Sequence, residues 1–226
     1  MKVNEFISKL QEVVDGHKTV YMWGVFGSPV TENLIRQKAN QYPSWYTAAR
    51  QQHFRSLIGK GYFGFDCVNL IKGILWGWDG DHSKTHGGAR YNTAGVPDIS
   101  ANGMNQRLVD TSTDFNKIEI GSAVWVKGHI GVYIGAGKVI EATPRWSNNV
   151  LVSACLNIGS ISGIPGRRWT RHGKLPYITY AKDIPEHIKI LRAKVDSPDA
   201  WVQFIEDNKD HPLGKWLPDL IVKLAK

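Results

Sequence analysis

The sequence predicts an α+β fold in which helices precede a small antiparallel sheet and a short helical tail follows. Apolar residues recur at helical spacing in the first 14 residues. The segment 65–76 is apolar on nearly all sides, which is typical of a buried helix. After residue 116 the chain consists of short β-branched segments separated by turn residues. Helices followed by strands indicate an α+β architecture.

Three helices are expected before residue 77. The first is amphipathic and ends near Gly16. After a short extended segment, Thr31 has a suitable side chain to cap a second helix that ends near residue 40. The third helix covers 65–76, and Asp66 is a good N-cap for it.

Strands are expected in the second half because short β-branched segments alternate there with turns. The predicted strands are 123–126, 129–134, 138–142 and 150–153, with 168–170 and 177–180 as further candidates. Between helices and strands, residues 77–105 are rich in Gly, Asp, Asn, His and Ser. A connection of this length predicts a loop that lines a site.

We expect residues 1–180 to form the main domain and residues 181–226 a helical extension. Ser197-Pro198-Asp199 is typical of a helix start. The apolar face of that helix would consist of Trp201, Phe204 and Ile205. The last segment has a second apolar face flanked by lysines, which fits either packing on the main domain or binding to an anionic membrane or wall. Pro218 interrupts this segment and favours packing.

The formal charge of +8 arises almost entirely before residue 183. A basic body fits an anionic partner such as nucleic acid, a membrane surface or phosphate-bearing wall polymers, or it serves solubility alone. The sequence has no Lys/Arg-rich run and no nucleic-acid module, so we expect no nucleic-acid partner. It also has no zinc-type cysteine spacing, and we expect neither metal nor cofactor.

The N-terminal segment is helical in pattern and lacks the continuous apolar stretch of a signal peptide. Nor does any segment have the length and apolar character of a membrane span, so we expect no stable membrane insertion. The pattern therefore predicts a product made in the cytoplasm, which would need another route to act outside it.

Cys67 is placed at the first turn of the predicted buried helix. Backbone N–H groups at a helix start lack partners, and the helix dipole favours an anion, so this position suits a thiolate nucleophile. The alternative is a structural cysteine, since free cysteine is commonly buried. A thiol nucleophile also requires a base and a residue that orients the base.

The segment 129–141 provides both partners. Gly135-Ala136-Gly137 is typical of a three-residue hairpin loop. The register that this loop predicts pairs Ile134 with Lys138, Tyr133 with Val139 and Gly131 with Glu141. His129 then lies diagonally opposite Glu141 on one face of the sheet, and Gly131 leaves room for their contact. We therefore predict Cys67 as nucleophile, His129 as base and then acid, and Glu141 as the residue that orients the imidazole.

These residues resemble the NlpC/p60 peptidases, which are papain-like hydrolases of the bacterial cell wall. The resemblance depends on Asp66-Cys67 at a helix start, on the segment His129-Ile130-Gly131-Val132-Tyr133-Ile134-Gly135, and on Glu141 twelve residues after His129. Tyr21-Met22-Trp23-Gly24 is similar to the family's upstream Tyr-x-Trp-Gly motif. The chain departs from the family where Val68-Asn69 replaces Ser-Gly and where the third polar residue is Glu.

The resemblance implies a papain-like fold and a binding site for a peptide. It implies that Tyr21 and Asp66 help to bind the substrate, with Asp66 close to a peptide amine, and it places Trp23 beside the same cleft. Helix capping is the competing role of Asp66. The family's common target is the bond after γ-D-glutamate in the stem peptide of peptidoglycan.

Together with the predicted cytoplasmic synthesis, the resemblance implies a phage or prophage endolysin that reaches the host wall once the membrane is breached. Two other readings stay open. One is a related cysteine, histidine-dependent amidohydrolase/peptidase of the CHAP type. The other is a non-catalytic wall-binding or phage structural module that retains the fold.

Overall fold

The computed structural model describes residues 1–180, 198–209 and 212–224. Its fold is α+β, as predicted. The helices in these residues are α1 Val3–Gly16, α2 Glu32–Gln41, α3 Ala48–Arg55, α4 Cys67–Leu75, α5 Ala101–Arg107, α6 Pro198–Asp207 and α7 Pro212–Leu224. The strands are β1 Lys18–Tyr21, β2 Phe26–Pro29, β3 Tyr62–Phe65, β4 Val109–Ser112, β5 Ala123–Val126, β6 His129–Gly135, β7 Lys138–Thr143, β8 Asn149–Cys155, β9 Gly166–Arg167 and β10 Arg171–Lys174.

The chain divides into two compact units, Met1–Tyr180 and Ala181–Lys226. In the second unit, Ile205 is buried, whereas Trp201 and Phe204 are each more than 40% exposed. The helix α7 continues through Pro218, so the predicted interruption there is wrong. A proline removes one backbone donor and bends a helix without necessarily ending it. Ser197, the predicted cap, lies outside the described residues.

Two sheets build the first unit. The smaller has the strand order β1-β3-β2, in which β1 is parallel and β2 antiparallel to β3. The larger has the order β4-β10-β5-β6-β7-β8-β9. All of its pairs are antiparallel except β8 with β9. The strands β5 to β8 therefore form a meander, which brings residues distant in sequence onto neighbouring strands.

The helix α4 lies at the centre of the largest hydrophobic cluster. Every residue from Cys67 to Leu75 is buried, as the continuous apolar pattern predicts. The helix packs on β6 and β7 of the large sheet and on β2 of the small one. The helix begins two residues after the end of β3, and Cys67 is its first residue.

Several predicted elements differ in the structure. Phe65 is the last residue of β3, because Asp66 caps the helix and ends the strand. The strand predicted at 168–170 is wrong, because β9 ends before these residues and β10 begins after them. Residues 177–180 form one isolated bridge, between Lys2 and Thr179, in place of a strand. The loop predicted for 77–105 contains a 3₁₀ turn and the start of α5.

Among the helices of residues 1–180, 198–209 and 212–224, none combines the length and apolar character needed to span a bilayer.

Candidate active site

The Cys67 side chain is 5% exposed and lies on the wall of a cavity of about 440 Å³. Backbone N–H groups of Cys67, Val68 and Ile130 lie close to its sulfur and favour the thiolate. Burial and then the carboxylate of Asp66 act in the opposite direction and raise the pKa of the Cys67 thiol to about 12. Burial thus outweighs the helix N-terminus, and Cys67 is a neutral thiol at neutral pH.

Asp66 connects the start of α4 to the turn that follows β1. Its Oδ1 accepts the backbone N–H of Asn69 at 2.8 Å, which is an N-cap bond. Its Oδ2 accepts the N–H of Gly24 at 2.8 Å and the side-chain amide of Asn69 at 2.7 Å. Burial raises the pKa of Asp66 although these donors and Lys72 oppose it. Capping, the competing role of Asp66, is confirmed, and the residue also fixes the backbone of the turn beside Cys67.

Tyr21 and Trp23 lie on the same cavity as Cys67. Tyr21 is buried, and burial followed by the nearby Cys67 and Asp66 raises the pKa of its hydroxyl, which stays protonated. Trp23 is 42% exposed, and its carbonyl accepts a hydrogen bond of 2.8 Å from the hydroxyl of Tyr46. The turn after β1 therefore presents a neutral hydroxyl and an exposed indole to whatever occupies the cavity.

His129 and Glu141 are in contact across the β6–β7 hairpin. Nε2 of His129 lies 2.6 Å from Oε2 of Glu141, as the predicted register requires. With Glu141 ionised, this nitrogen carries the proton, and Nδ1 is the nitrogen that can accept another. Gly128 lines the cavity and the N–H of Ile130 approaches the Cys67 sulfur, so the residues on both sides of His129 reach the site.

The loop of the β6–β7 hairpin is shorter than predicted, although the register away from the loop is the predicted one. The loop has two residues, Ala136 and Gly137, both with positive φ, as in a type I′ turn. A bulge between Tyr133 and Gly135 absorbs one residue, so that Gly135 and not Ile134 pairs with Lys138. The predicted pairing of Tyr133 with Val139 is present. The bulge thus cancels the slip that a two-residue loop would cause.

Glu141 is fully buried, and three side chains face its carboxylate. In addition to His129, Ser153 donates to Oε1 at 2.5 Å and Arg167 donates from Nε to Oε2 at 3.2 Å. Burial alone would raise the pKa of Glu141, but His129, Arg167 and Ser153 outweigh it and hold the pKa below its ordinary value. Glu141 is therefore an anion at neutral pH.

The cavity has a second wall, formed by the connection after α4. Asp98, Ser100 and Asn102 from this connection line it opposite Cys67. Lys72 of α4 has a side chain only 3% exposed; it forms an ion pair with Asp98 and donates to the carbonyl of Ile99 at 3.0 Å. Residues 98–102 of the predicted loop therefore line the cavity that Cys67 also lines. In the described residues, no group of three or more His, Cys, Asp or Glu side chains is arranged to hold a metal ion.

Two buried cations of this region, Lys72 and Arg167, are not evident from the sequence, because a basic residue is ordinarily a surface residue. Their side chains are only 3% and 16% exposed. A buried carboxylate at Glu141 was the available signal, since it requires a cationic partner.

The structure thus brings Tyr21, Trp23, Asp66 and Cys67 together on one cavity and joins His129 to Glu141 on the adjacent hairpin. A comparison with models of known protein families gives no match, and no curated protein matches the chain. The reading of the site therefore depends on its geometry and on the sequence motifs.

Proposed function

We propose that the chain is a cysteine peptidase of papain-like type that hydrolyses stem-peptide bonds of bacterial peptidoglycan. One observation carries the proposal. Cys67 opens a buried helix beside a substrate-sized cavity, and the adjacent hairpin holds a His129–Glu141 pair at 2.6 Å. A thiol, a base and an orienting carboxylate on adjacent rigid elements are the groups that thiol catalysis requires.

In the proposed reaction, His129 Nδ1 takes the thiol proton as Cys67 attacks the peptide carbonyl, because burial keeps the thiol protonated before substrate binds. This step requires the imidazole on β6 to reach the Cys67 sulfur at the start of α4, and among the described residues the contacts of His129 are with Glu141 and Trp169. The backbone N–H of Cys67 contributes to an oxyanion hole for the carbonyl oxygen. His129 then protonates the leaving amine, and water activated by the same imidazole releases the acyl group from Cys67. Glu141, held ionised, stabilises the imidazolium that forms between these steps.

The cavity fits a short peptide with a free amine. Asp66 lines the cavity, and on this proposal its carboxylate binds the substrate ammonium by a charge-assisted hydrogen bond. Tyr21 and Trp23 provide a hydroxyl and an exposed ring on the same cavity. On this proposal the bond cleaved is the one after γ-D-glutamate, which is the expectation that the sequence motifs give.

The proposed setting is host lysis by a phage or prophage endolysin, made in the host cytoplasm and acting on the wall. The charge of +8 supports it, because a basic protein is attracted to anionic wall polymers. This attraction would bring the enzyme to its substrate.

A zymogram with purified peptidoglycan tests the proposal. We expect clearing by the parent protein and by Cys155→Ala, and none by Cys67→Ala. Cys155 is the matched control, since it is equally buried but lies on β8, away from the cavity. Clearing by Cys67→Ala would exclude the thiol mechanism. Binding to peptidoglycan without clearing by any of the three would favour a non-catalytic module, and release of intact stem peptides from the glycan would favour a CHAP-type amidase.

A further inference from the structure

Arg167 of the short strand β9 is bound to the buried carboxylate of Glu141. Its Nη2 lies 3.1 Å from Oε2, its Nε donates to the same oxygen at 3.2 Å, and Nη2 also reaches Oγ1 of Thr143 at 3.4 Å. The side chain is 16% exposed. Oε2 is also the oxygen that faces His129, so Arg167 and the imidazole share one atom of Glu141.

Two indole rings hold the guanidinium. Its Cζ lies 5.5 Å from the ring centroid of Trp146 and 5.4 Å from that of Trp169. The ring of Trp169 in turn stacks on the imidazole of His129, with an interplanar angle of 13° and centroids 5.6 Å apart. One continuous set of contacts therefore runs from Trp146 through Arg167 and Trp169 to His129.

We propose that Arg167 is a positioning residue that fixes Glu141 Oε2 against His129, and that Trp146 and Trp169 fix Arg167 for this purpose. The charged and titratable groups that face Glu141 are His129 from β6 and Arg167 from β9, with the hydroxyl of Ser153 from β8. Arg167 is thus the only permanent cation at this carboxylate among the described residues. It keeps Glu141 ionised when the imidazole is neutral, which is the state in which His129 acts as a base.

A guanidinium has properties here that an ammonium lacks. It is planar, so it stacks on indole rings, and it presents two N–H groups in a fixed fork. Lysine would retain the charge and lose both the stacking and the paired donors. Arg167→Lys therefore separates the effect of the charge from the effect of the geometry.

An NMR titration of the Glu141 carboxyl carbon tests the inference without any need for activity. Removing the cation in Arg167→Met should raise the pKa of Glu141, because a positive charge nearby favours the carboxylate. Arg167→Lys should leave the pKa close to that of the parent. The matched control is Arg168→Met, an exposed neighbour, which should titrate as the parent does.

The kinetic consequence rests on the proposed function. The acid limb of the kcat/KM profile of Arg167→Met should move to higher pH with the Glu141 titration, and kcat/KM at neutral pH should fall about 10-fold. Arg167→Lys should keep the parent's acid limb and lose only part of its kcat. If the parent cleaves no peptidoglycan, the proposed function fails and the titration still decides the role of Arg167.

The inference is overturned if Arg167→Met and Arg168→Met give the same Glu141 titration. If Arg167→Met does not fold, Trp146→Ala replaces it, because Trp146 is 39% exposed and its loss frees one face of the guanidinium. A Glu141 carboxyl signal in Trp146→Ala that keeps the parent's line width and titration would equally contradict the inference. A broadened or shifted signal would support it.

Discussion

Nε2 of His129 lies 2.6 Å from Oε2 of Glu141, across the β6–β7 hairpin. The contact fixes the tautomer of the imidazole, because an ionised carboxylate accepts and the ring nitrogen must donate. Nδ1 is therefore the nitrogen left for proton transfer. The predictions below follow from this contact and from the groups that hold it.

Glu141→Gln should lower kcat/KM by about 10- to 100-fold, because the amide supports imidazolium less well. It should also lower the free energy of unfolding at neutral pH by about 2 kcal/mol, since it replaces charged hydrogen bonds. The folded-state pKa of Glu141 is below its ordinary value of 4.5, so the carboxylate's contribution is complete above that pH and is lost as pH falls through the folded pKa.

Denaturant unfolding from pH 7 to pH 3 measures this contribution. The difference in stability between the parent and Glu141→Gln should be constant above about pH 5 and shrink below it. A difference that grows on acidification would contradict the lowered pKa of Glu141.

Gly131→Ala should disturb the β6–β7 hairpin, because Gly131 lies opposite Glu141 on the neighbouring strand. An added Cβ would lie 2.7 Å from Val139 Cγ1 and 3.2 Å from Glu141 Cβ. We expect a loss of about 1–3 kcal/mol in thermal or denaturant unfolding, together with reduced activity. Gly159→Ala is the control, since no atom lies within 4 Å of its added Cβ. Equal stability of the two variants would mean that β6 and β7 are less close than the structure shows.

Asp66→Ala should destabilise the protein more than the loss of an ordinary helix cap. Thr31 caps α2 through one bond, to the N–H of Leu34, and Thr31→Ala should cost about 1 kcal/mol. Asp66 caps α4 and also binds Gly24, so its replacement should cost about 2 kcal/mol or more. Denaturant midpoints of the two variants test the comparison. A cost for Asp66→Ala no greater than that for Thr31→Ala would show that the tie to Gly24 contributes nothing.

The rate at which iodoacetamide alkylates Cys67 should rise with pH through the neutral range. Burial and Asp66 raise the pKa of this thiol to about 12, so the thiolate fraction keeps increasing above pH 9. Mass spectrometry of a Cys155→Ser background follows Cys67 alone. A rate that is already constant between pH 6 and pH 8 would instead indicate a preformed thiolate–imidazolium pair, and His129 would then act chiefly as an acid.

Local sequence signals were sufficient for much of the site. Asp66 before a continuous apolar run predicts the start of α4, because capping depends on neighbouring residues only. The spacing of Gly131 and Glu141 around a glycine turn predicts the contact with His129. The predicted pairing of Tyr133 with Val139 is correct, but the predicted three-residue loop is not. A two-residue loop and a bulge before Gly135 give the same register, and the bulge depends on the sheet and not on the loop sequence.

The contacts that the sequence did not reveal are long-range ones. Arg167 reaches Glu141 across 26 residues, and Lys72 reaches Asp98 across 26. Each is a buried cation whose partner lies on another element, and no local pattern distinguishes it from a solvated one. The parallel pairing of β1 with β3 was missed for the same reason, because it joins strands separated by two helices.

Mass spectrometry of peptidoglycan digests tests the central claim, that Cys67 is the nucleophile of a stem-peptide hydrolase, most directly. Purified peptidoglycan is incubated with the parent, Cys67→Ala and Cys155→Ala, and the released fragments are sequenced. The predicted result is a new amino terminus after γ-D-glutamate with the parent and with Cys155→Ala, and a rate at least about 10³-fold lower with Cys67→Ala. The same fragments released at the parent's rate by Cys67→Ala would contradict the claim.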